Sequence, residues 1–583
     1  MMAYLYPSTG NTINGNTAGS NKTNGIELVT TSNKNSVVNN TLGADYDGIF
    51  LGRNSNENSI LGNSANGNSQ DGVDLNSSGN NSILGNTANS NQSYGIALNN
   101  ASGNNSVDNN TTSMNVNYGI ILLASSNNNT LSGNNASSDT LIGIYLFNST
   151  DNLITGNICS NNGTYDGIFL NSSSGNSLTG NTASSNNVAR IEFNYSSDSN
   201  VITGNQTGSD TNYGISVMSS SNNNLANNDV TADGWDGIIL ASDSGNTLSG
   251  NTCASASVYE GIHLSGSNSN TLWSNATTSN PVAGVELNSS SGNSLLGNTS
   301  GSNGFGVHLL SSGNNQIYHN NFVNDTTQAK DESGSNNVFS LAMPTGGNYW
   351  SNWTGPDTDH DGIVDNPFVF NGGQDSYPWA RQNGWVINYF WTWYDNVSMK
   401  NWVLMANRAS SATGLEFSLS IAGRSQNPGN LGAGTGVVPP GRSLTPMLPG
   451  LMGGPVKVTA TGDVIATQRS IFGPSFEEVP GLAASQTGGY SALAKDYNWT
   501  WYDQESPGMT NWVFVANPSA SPVTATIKVG GKTMGAHSIA PGRNVTPVFP
   551  GTMGGPVEVS ATDYVIAYQR VLYNGYFNEV LGQ

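Results

Sequence analysis

Asn58-Ser59-Ile60-Leu61-Gly62-Asn63 is the stretch on which the fold turns, and Gly95-Ile96-Ala97-Leu98 is its companion. The two motifs, Asn-x-aliphatic-x-x-Asn and Gly-aliphatic-x-aliphatic, alternate along the chain to about residue 322. The glycines stand at 25, 48, 72, 95, 119, 143, 167, 214, 237, 261, 284 and 306, and Arg190 fills the one missing place. The interval is 23 or 24 residues and closes with one of 22. A fixed period of this length marks a solenoid, in which each repeat stacks on the next.

The apolar residues decide which solenoid. Ile96 and Leu98 alternate across Ala97, and the same pattern recurs in every repeat. Period two means strands, and the Asn, Ser, Gly and Thr between them are turn formers. The fold expected is an all-β, right-handed parallel β-helix of about 13 coils over residues 1–340. At about 4.8 Å per coil the rod is about 60 Å long. Ile13, Val37, Ile60, Ile83 and Val107 begin one interior file; Asn16, Asn40, Asn63, Asn86 and Asn110 begin another. The Asn file predicts a left-handed bend with amides bonded along the stack. Cys159 and Cys253 occupy equivalent places four coils apart, about 19 Å, too far for a disulfide. They are expected to be free, buried thiols.

Charge narrows the partners. The chain of 583 residues carries a formal net charge of −21. Residues 1–340 hold five basic residues against 22 acidic ones. Nucleic-acid binding is therefore not expected, and neither is a polyanionic glycan unless a divalent cation bridges it. No segment is long and apolar enough to span a membrane. No signal peptide precedes the repeat, and there is no room for an N-terminal cap, so a start upstream of Met1 is expected.

Past Phe322 the rhythm fails. Gly347-Asn348-Tyr349-Trp350 is followed by Asp357, Asp359, Asp361, Gly362, Ile363 and Asp365, and then by Tyr377-Pro378. Asn-rich coils closed in this way resemble the NosD-like β-helix repeat, also called the carbohydrate-binding and sugar-hydrolysis type, over residues 9–380. The resemblance implies a right-handed parallel β-helix and a microbial surface protein. The loop itself predicts a structural Ca²⁺ site: Asp357, Asp359, Asp361, the Ile363 carbonyl and Asp365 follow EF-hand spacing. Asp375 would stand in for the missing glutamate. The expected role of this segment, 341–382, is to close the rod.

A longer repeat occupies the C-terminal third. Trp391-Thr392-Trp393-Tyr394-Asp395 recurs as Trp499-Thr500-Trp501-Tyr502-Asp503, and Gln468-Arg469 as Gln569-Arg570. Short alternating strands with Gly/Pro turns predict two immunoglobulin-like β-sandwiches, 387–484 and 492–583. The Trp/Tyr clusters read as core, and Arg469 and Arg570 are expected to pair with Glu478 and Glu579.

Candidate chemistry lies two residues after each glycine, on the outer side of one sheet. That file reads Glu27, Phe50, Asp74, Ala97, Ile121, Tyr145, Phe169, Glu192, Ser216, Ile239, His263, Glu286 and His308, and is expected to face solvent. His263, Glu286 and His308 fall on successive coils with Asp236 and Glu260 nearby, a spacing suited to acid–base work or a weak metal site. Asp47, Asp71 and Asp74, with Asp45, form a carboxylate cluster of the kind that hydrolyses glycosidic bonds. An Asp-Pro-His triplet, the mark of uronate-epimerising β-helices, is absent. The reading favoured is a non-catalytic extracellular or cell-surface protein, structural or adhesive. Its partner would be a glycan or cell-envelope polymer along Phe50, Tyr145 and Phe169, or another surface protein. The alternative is a polysaccharide hydrolase or epimerase.

Overall fold

The computed structural model describes residues 3–208, 212–342, 345–358, 362–407, 415–426, 437–439, 441–462, 464–485, 493–519 and 521–582. The chain divides into two compact units, residues 1–354 with 366–378, and residues 355–365 with 379–583.

The first unit is a parallel β-solenoid of about 14 turns between residues 3 and 332. A sheet of 15 strands carries the glycine motif, and a sheet of 14 strands carries the Asn-x-aliphatic motif. Shorter parallel pairings form the third side. Register is strict: Ile83 pairs with Ile60 and Val107, and Leu98 with Leu75 and Leu122. These aliphatics are fully buried and form one continuous core. Both cysteines are free and buried within it.

Asparagine files hold the corners together. At most rungs the main-chain N–H and the Nδ2 both donate to Oδ1 of the rung on the next coil. Asn134 does so to Asn157 at 3.0 and 2.9 Å, and its Nδ2 also reaches the Val107 carbonyl at 2.7 Å. Asn246 is an exception, its Nδ2 donating to the Ser220 carbonyl at 3.2 Å. The left-handed bend sits one residue earlier than expected, at Gly62, Gly85, Asn109 and His319 rather than at the Asn itself. The reason is that the Asn amide must point along the stack, so its neighbour makes the turn. At Gly72, an added Cβ would lie 2.6 Å from Ala88 Cβ and 2.7 Å from the Gly95 carbonyl. The file is glycine because the next coil occupies that space.

Arg190 breaks this file, and its side chain is wholly buried inside the solenoid. The guanidinium pairs with buried Asp233. Asp233 belongs to a third corner file that elsewhere reads Asn68, Asn91 and Asn115. Asp45 also belongs to this corner, accepting from Asn21, and so is not part of the outer carboxylate cluster.

Asp139 is another rung of that file. Its Oδ1 accepts from Asn115 N and Nδ2 at 2.9 Å, whereas Oδ2 is buried with no hydrogen-bond partner among the described residues. Burial pushes the carboxyl up to about 8, against about 3.9 unfolded. The native state thus keeps a proton that the unfolded chain releases, and this rung's contribution falls as pH rises from about 4 to about 8. Asp139→Asn supplies a neutral amide in its place. We expect it to raise the melting temperature, with a gain of about 1–3 kcal/mol at pH 8 and a smaller one at pH 4.5, as read by thermal denaturation.

The repeat runs further than its motif. Thr327–Glu332 adds a last strand to the long sheet although Gln328 stands where glycine is expected. Tyr349–Trp350 pairs with Asn321–Phe322, and Asn348 extends the second Asn file. An aromatic cluster packs against this end. Trp350 stacks on Phe322 at 4.5 Å and meets Phe368 at 4.6 Å. Asp375 is buried there, accepting from Asn348 N at 2.7 Å, Trp350 Nε1 at 2.8 Å and Tyr377 N at 3.0 Å. Burial pushes its carboxyl up to about 6. It terminates the Asn file.

The second unit is built of antiparallel sheets in two matching copies. Tyr394 Oη donates to the Asn401 carbonyl at 2.9 Å and Tyr502 Oη to Asn511 at 3.0 Å. Gln468 Nε2 donates to the Trp393 carbonyl, and Gln569 Nε2 to that of Trp501, both at 2.8 Å. Arg469 pairs with Glu478 at 3.0 Å and Arg570 with Glu579 at 2.7 Å. Trp391, Trp499, Tyr394 and Tyr502 are core, whereas Trp501 is exposed. A small apolar cluster, including Phe390, Phe514 and Tyr568, joins the copies.

Candidate functional site

The outer file of the long sheet is continuous, as its strand pairing shows, and runs on to Lys330 beyond His308. It is not the open surface expected. Ala97, Ile121 and Ser216 are fully or almost fully buried, and Asp74 and Glu286 nearly so. Side chains from flanking rows fold over it: Asn99 Nδ2 donates to Asp74 Oδ1 at 2.7 Å, and the Tyr118 ring lies 5.1 Å from Tyr145.

Three features occupy this face. The first is the carboxylate cluster. Asp47 Oδ1 accepts from Asp71 N at 3.1 Å, and Asp71 Oδ1 from Tyr94 N at 2.9 Å. Burial pushes Asp47 up to about 6. Burial and then the Asp47 charge push Asp71 up to about 7. Burial, followed by both neighbours, raises Asp74 well above the ordinary range. Such a group holds protons near neutrality and can act as a general acid.

The second feature is an aromatic ladder. Tyr94 stacks on Tyr118 at 5.3 Å, and Tyr145 on Phe169 at 5.2 Å. Tyr118 and Tyr145 meet at 59°, so the stack is broken between them. All four rings are partly exposed. Phe50 lies four coils from Tyr145 in the register and is not part of this ladder. Tyr94 and Tyr118 escaped the reading of the outer file because they precede the glycine. Their shared place before Gly95 and Gly119 was the available signal.

The third feature is an alternation of acids and imidazoles. His263 Nδ1 lies 3.4 Å from Asp236 Oδ2 and 3.9 Å from Glu260 Oε2. His263 Nε2 lies 3.9 Å from Glu286 Oε1. His308 Nδ1 is 2.8 Å from Glu286 and its Nε2 3.1 Å from Glu332, which also pairs with Lys330. Burial, then its bond to Asp236, pushes Glu260 up to about 10. Burial works against the Asp236 charge, but hydrogen bonds from His263 and Glu260 outweigh it and lower that carboxyl. Glu332 and Lys330 were not foreseen, because the repeat loses its glycine at Gln328.

The Asp-rich loop belongs to the second unit. Asp357 Oδ2 accepts from Gly362 N at 3.2 Å, while its sheltered Oδ1 has no hydrogen-bond partner among the described residues. Asp365 accepts from Thr358 N at 3.2 Å. Ile363 is buried and bridges to Trp379. Asp359 and Asp361 lie outside the described residues.

A parallel β-solenoid with a half-sunken outer file of mixed polar, aromatic and aliphatic residues defines the class of protein. A family profile described as "Periplasmic copper-binding protein (NosD)" matches residues 2–87, 65–206, 134–283 and 165–355, more than half of the chain. The chain belongs to that family. No curated protein matches it. Among solved structures, the periplasmic alginate epimerase AlgG is 15% identical with a TM-score of 0.33, covering 54% of this chain and 76% of its own. The A-module of the Azotobacter vinelandii mannuronan C-5 epimerase AlgE4 is 15% identical with a TM-score of 0.27, covering 55% and 89%. A mutant tailspike protein of E. coli bacteriophage HK620, in complex with pentasaccharide, is 9% identical with a TM-score of 0.33, covering 79% and 86%. These likenesses concern the fold alone. Among the described residues no helix is long and apolar enough to cross a membrane.

Proposed function

We propose that this chain is an extracellular or cell-surface β-helix that binds a polysaccharide along the long sheet without turning it over. The ladder Tyr94, Tyr118, Tyr145 and Phe169 carries this reading: four partly exposed rings on successive coils of one rigid face. The break between Tyr118 and Tyr145 leaves ring area for a sugar, and the tyrosine hydroxyls supply polar contacts. Few basic residues line the solenoid, so a neutral or amino sugar polymer suits it better than a polyanion. The paired antiparallel copies serve as attachment modules and are assigned to immunoglobulin-like sandwiches, 387–484 and 492–583, after a right-handed helix over 1–340. Their shared tyrosine and Gln–Trp hydrogen bonds support one common fold for both copies.

Asp47, Asp71 and Asp74 favour the rival reading, a glycoside hydrolase or epimerase. A glycan panel separates the two. Retention on one polymer, weakened about tenfold by Tyr118→Ala with Tyr145→Ala, and no product over a day are expected. Turnover abolished by Asp71→Asn or His263→Ala would establish the enzyme instead.

Copper(I) handling does not fit the described residues. Both thiols are sealed in the core, and burial raises them far above the usual range, so of the soft donors that ion prefers only methionines such as Met114 are exposed. A structural Ca²⁺ in the Asp357 loop, with Asp359, Asp361, the Ile363 carbonyl and Asp365, belongs to the same proposal. The unpartnered Asp357 Oδ1 supports it. Chelation should lower the melting temperature of the second unit by several degrees, and added Ca²⁺ should restore it. An unchanged transition removes the ion.

A further inference from the structure

We propose that Asp236, Glu260 and His263 form a site for one zinc(II) ion. Asp236 and Glu260 precede the glycines of adjacent coils, and His263 is the outer residue of the second coil. One donor atom from each lies within 4.8 Å of the others. An ion held tetrahedrally about 2.1 Å from its donors needs them about 3.4 Å apart. His263 Nδ1 and Asp236 Oδ2 already stand at 3.4 Å, and Nδ1 and Glu260 Oε2 at 3.9 Å. Small side-chain rotations complete the set without moving the backbone.

Two further observations show that the site is built. Asp236 Oδ1 accepts the Glu260 N–H at 3.0 Å, which anchors the carboxylate and aims Oδ2 at the imidazole. His263 Nε2 is shielded from solvent and has no hydrogen-bond partner among the described residues, with Glu286 Oε1 standing 3.9 Å away. When Nδ1 holds an ion, the ring proton sits on Nε2 and faces that carboxylate. This is the histidine–carboxylate support found behind metal-bound imidazoles. Glu286 is braced in turn by His308 at 2.8 Å. One imidazole and two carboxylates suit zinc(II), not copper(I). They are too few and too nitrogenous for Ca²⁺. Three protein donors leave a coordination position for water or a ligand. The site stands apart from the aromatic ladder and does not depend on it.

The test is zinc(II) titration of the metal-stripped full chain by calorimetry, with excess Ca²⁺ present to occupy the Asp357 loop. One equivalent is expected to bind. His263→Gln and Asp236→Asn should each weaken it by about 100-fold, and Glu286→Gln by about tenfold. Asp71→Asn, in the distant carboxylate cluster, should leave it unchanged. Electron paramagnetic resonance with copper(II) substituted for zinc(II) should show one imidazole nitrogen, lost in His263→Gln. Equal affinity in the wild type, His263→Gln and Asp236→Asn would overturn the assignment. So would a nitrogen signal that survives His263→Gln and vanishes in His308→Gln. The unliganded melting temperature of each variant reports whether it is folded, and Glu286→Gln keeps the test decisive if a ligand variant is not.

Discussion

Asn157→Ala is expected to destabilise the solenoid by about 3–5 kcal/mol. The Asn157 side chain accepts from Asn134 N and Nδ2 at 3.0 and 2.9 Å. It donates to the Leu131 carbonyl at 2.9 Å, to the Thr155 carbonyl at 3.2 Å and to Asn181 Oδ1 at 3.0 Å. The site is wholly buried, so water cannot replace these bonds. Truncation leaves the Asn134 N–H without its partner, a buried orphan that costs about 1–3 kcal/mol, and each of the other lost bonds adds about 0.5–1.5 kcal/mol, the Leu131 carbonyl keeping only its pairing to the next coil. Asn135→Ala is the control. That residue is exposed on a short strand, so its loss should stay within about 0.5 kcal/mol. Urea and thermal denaturation of the two variants, side by side, check the difference. Equal midpoints would mean that the Asn files decorate the solenoid and do not hold it.

Asp233→Ala is expected to cost about 3–5 kcal/mol. Arg190 brings a guanidinium to the place where the repeat calls for glycine, and its side chain is wholly buried. Asp233 answers it from the third corner file. Removing the acid leaves a buried charge whose attraction no longer offsets its desolvation. The double variant Arg190→Met with Asp233→Asn removes both charges, keeps most of the volume and restores an Asn-like rung. It should return to within about 1.5 kcal/mol of the wild type. A double-mutant cycle on denaturation midpoints reads the coupling directly. A double variant as weak as Asp233→Ala would show that Arg190 acts through packing and not through charge.

Much of this was legible in the sequence because stacking repeats each requirement at every coil. The Ile60, Asn63 and Gly72 files could be read from spacing alone, and so could the two free thiols. What escaped depends on neighbours outside the repeat. The burial of Asp74 and Glu286 comes from flanking side chains such as Asn99, and spacing within one file is blind to them. The left-handed bend moved by one residue because the direction of the Asn63 amide decides it. The final coils were hidden because Gln328 replaces glycine and an insertion delays Asn348. Asp375 caps an Asn file, a role set by a residue 27 positions earlier. His263, Glu286 and His308 were brought together as expected. Asp47, Asp71 and Asp74 were too, whereas Asp45 turned inward.

The central claim is that residues about two dozen apart lie directly over one another. Pulsed electron–electron spectroscopy tests it on spin labels placed along one outer file. Cys159 and Cys253 would first be replaced by alanine. Labels at Leu84 and Thr179, four coils apart in the pairing, should give a narrow distance near 19 Å. Labels at Leu61 and Thr203, six coils apart, should give about 29 Å. An increment of about 4.8 Å per coil is the predicted result. Broad distributions, or distances that fail to grow with the number of coils between labels, would contradict the stacking and everything built on it.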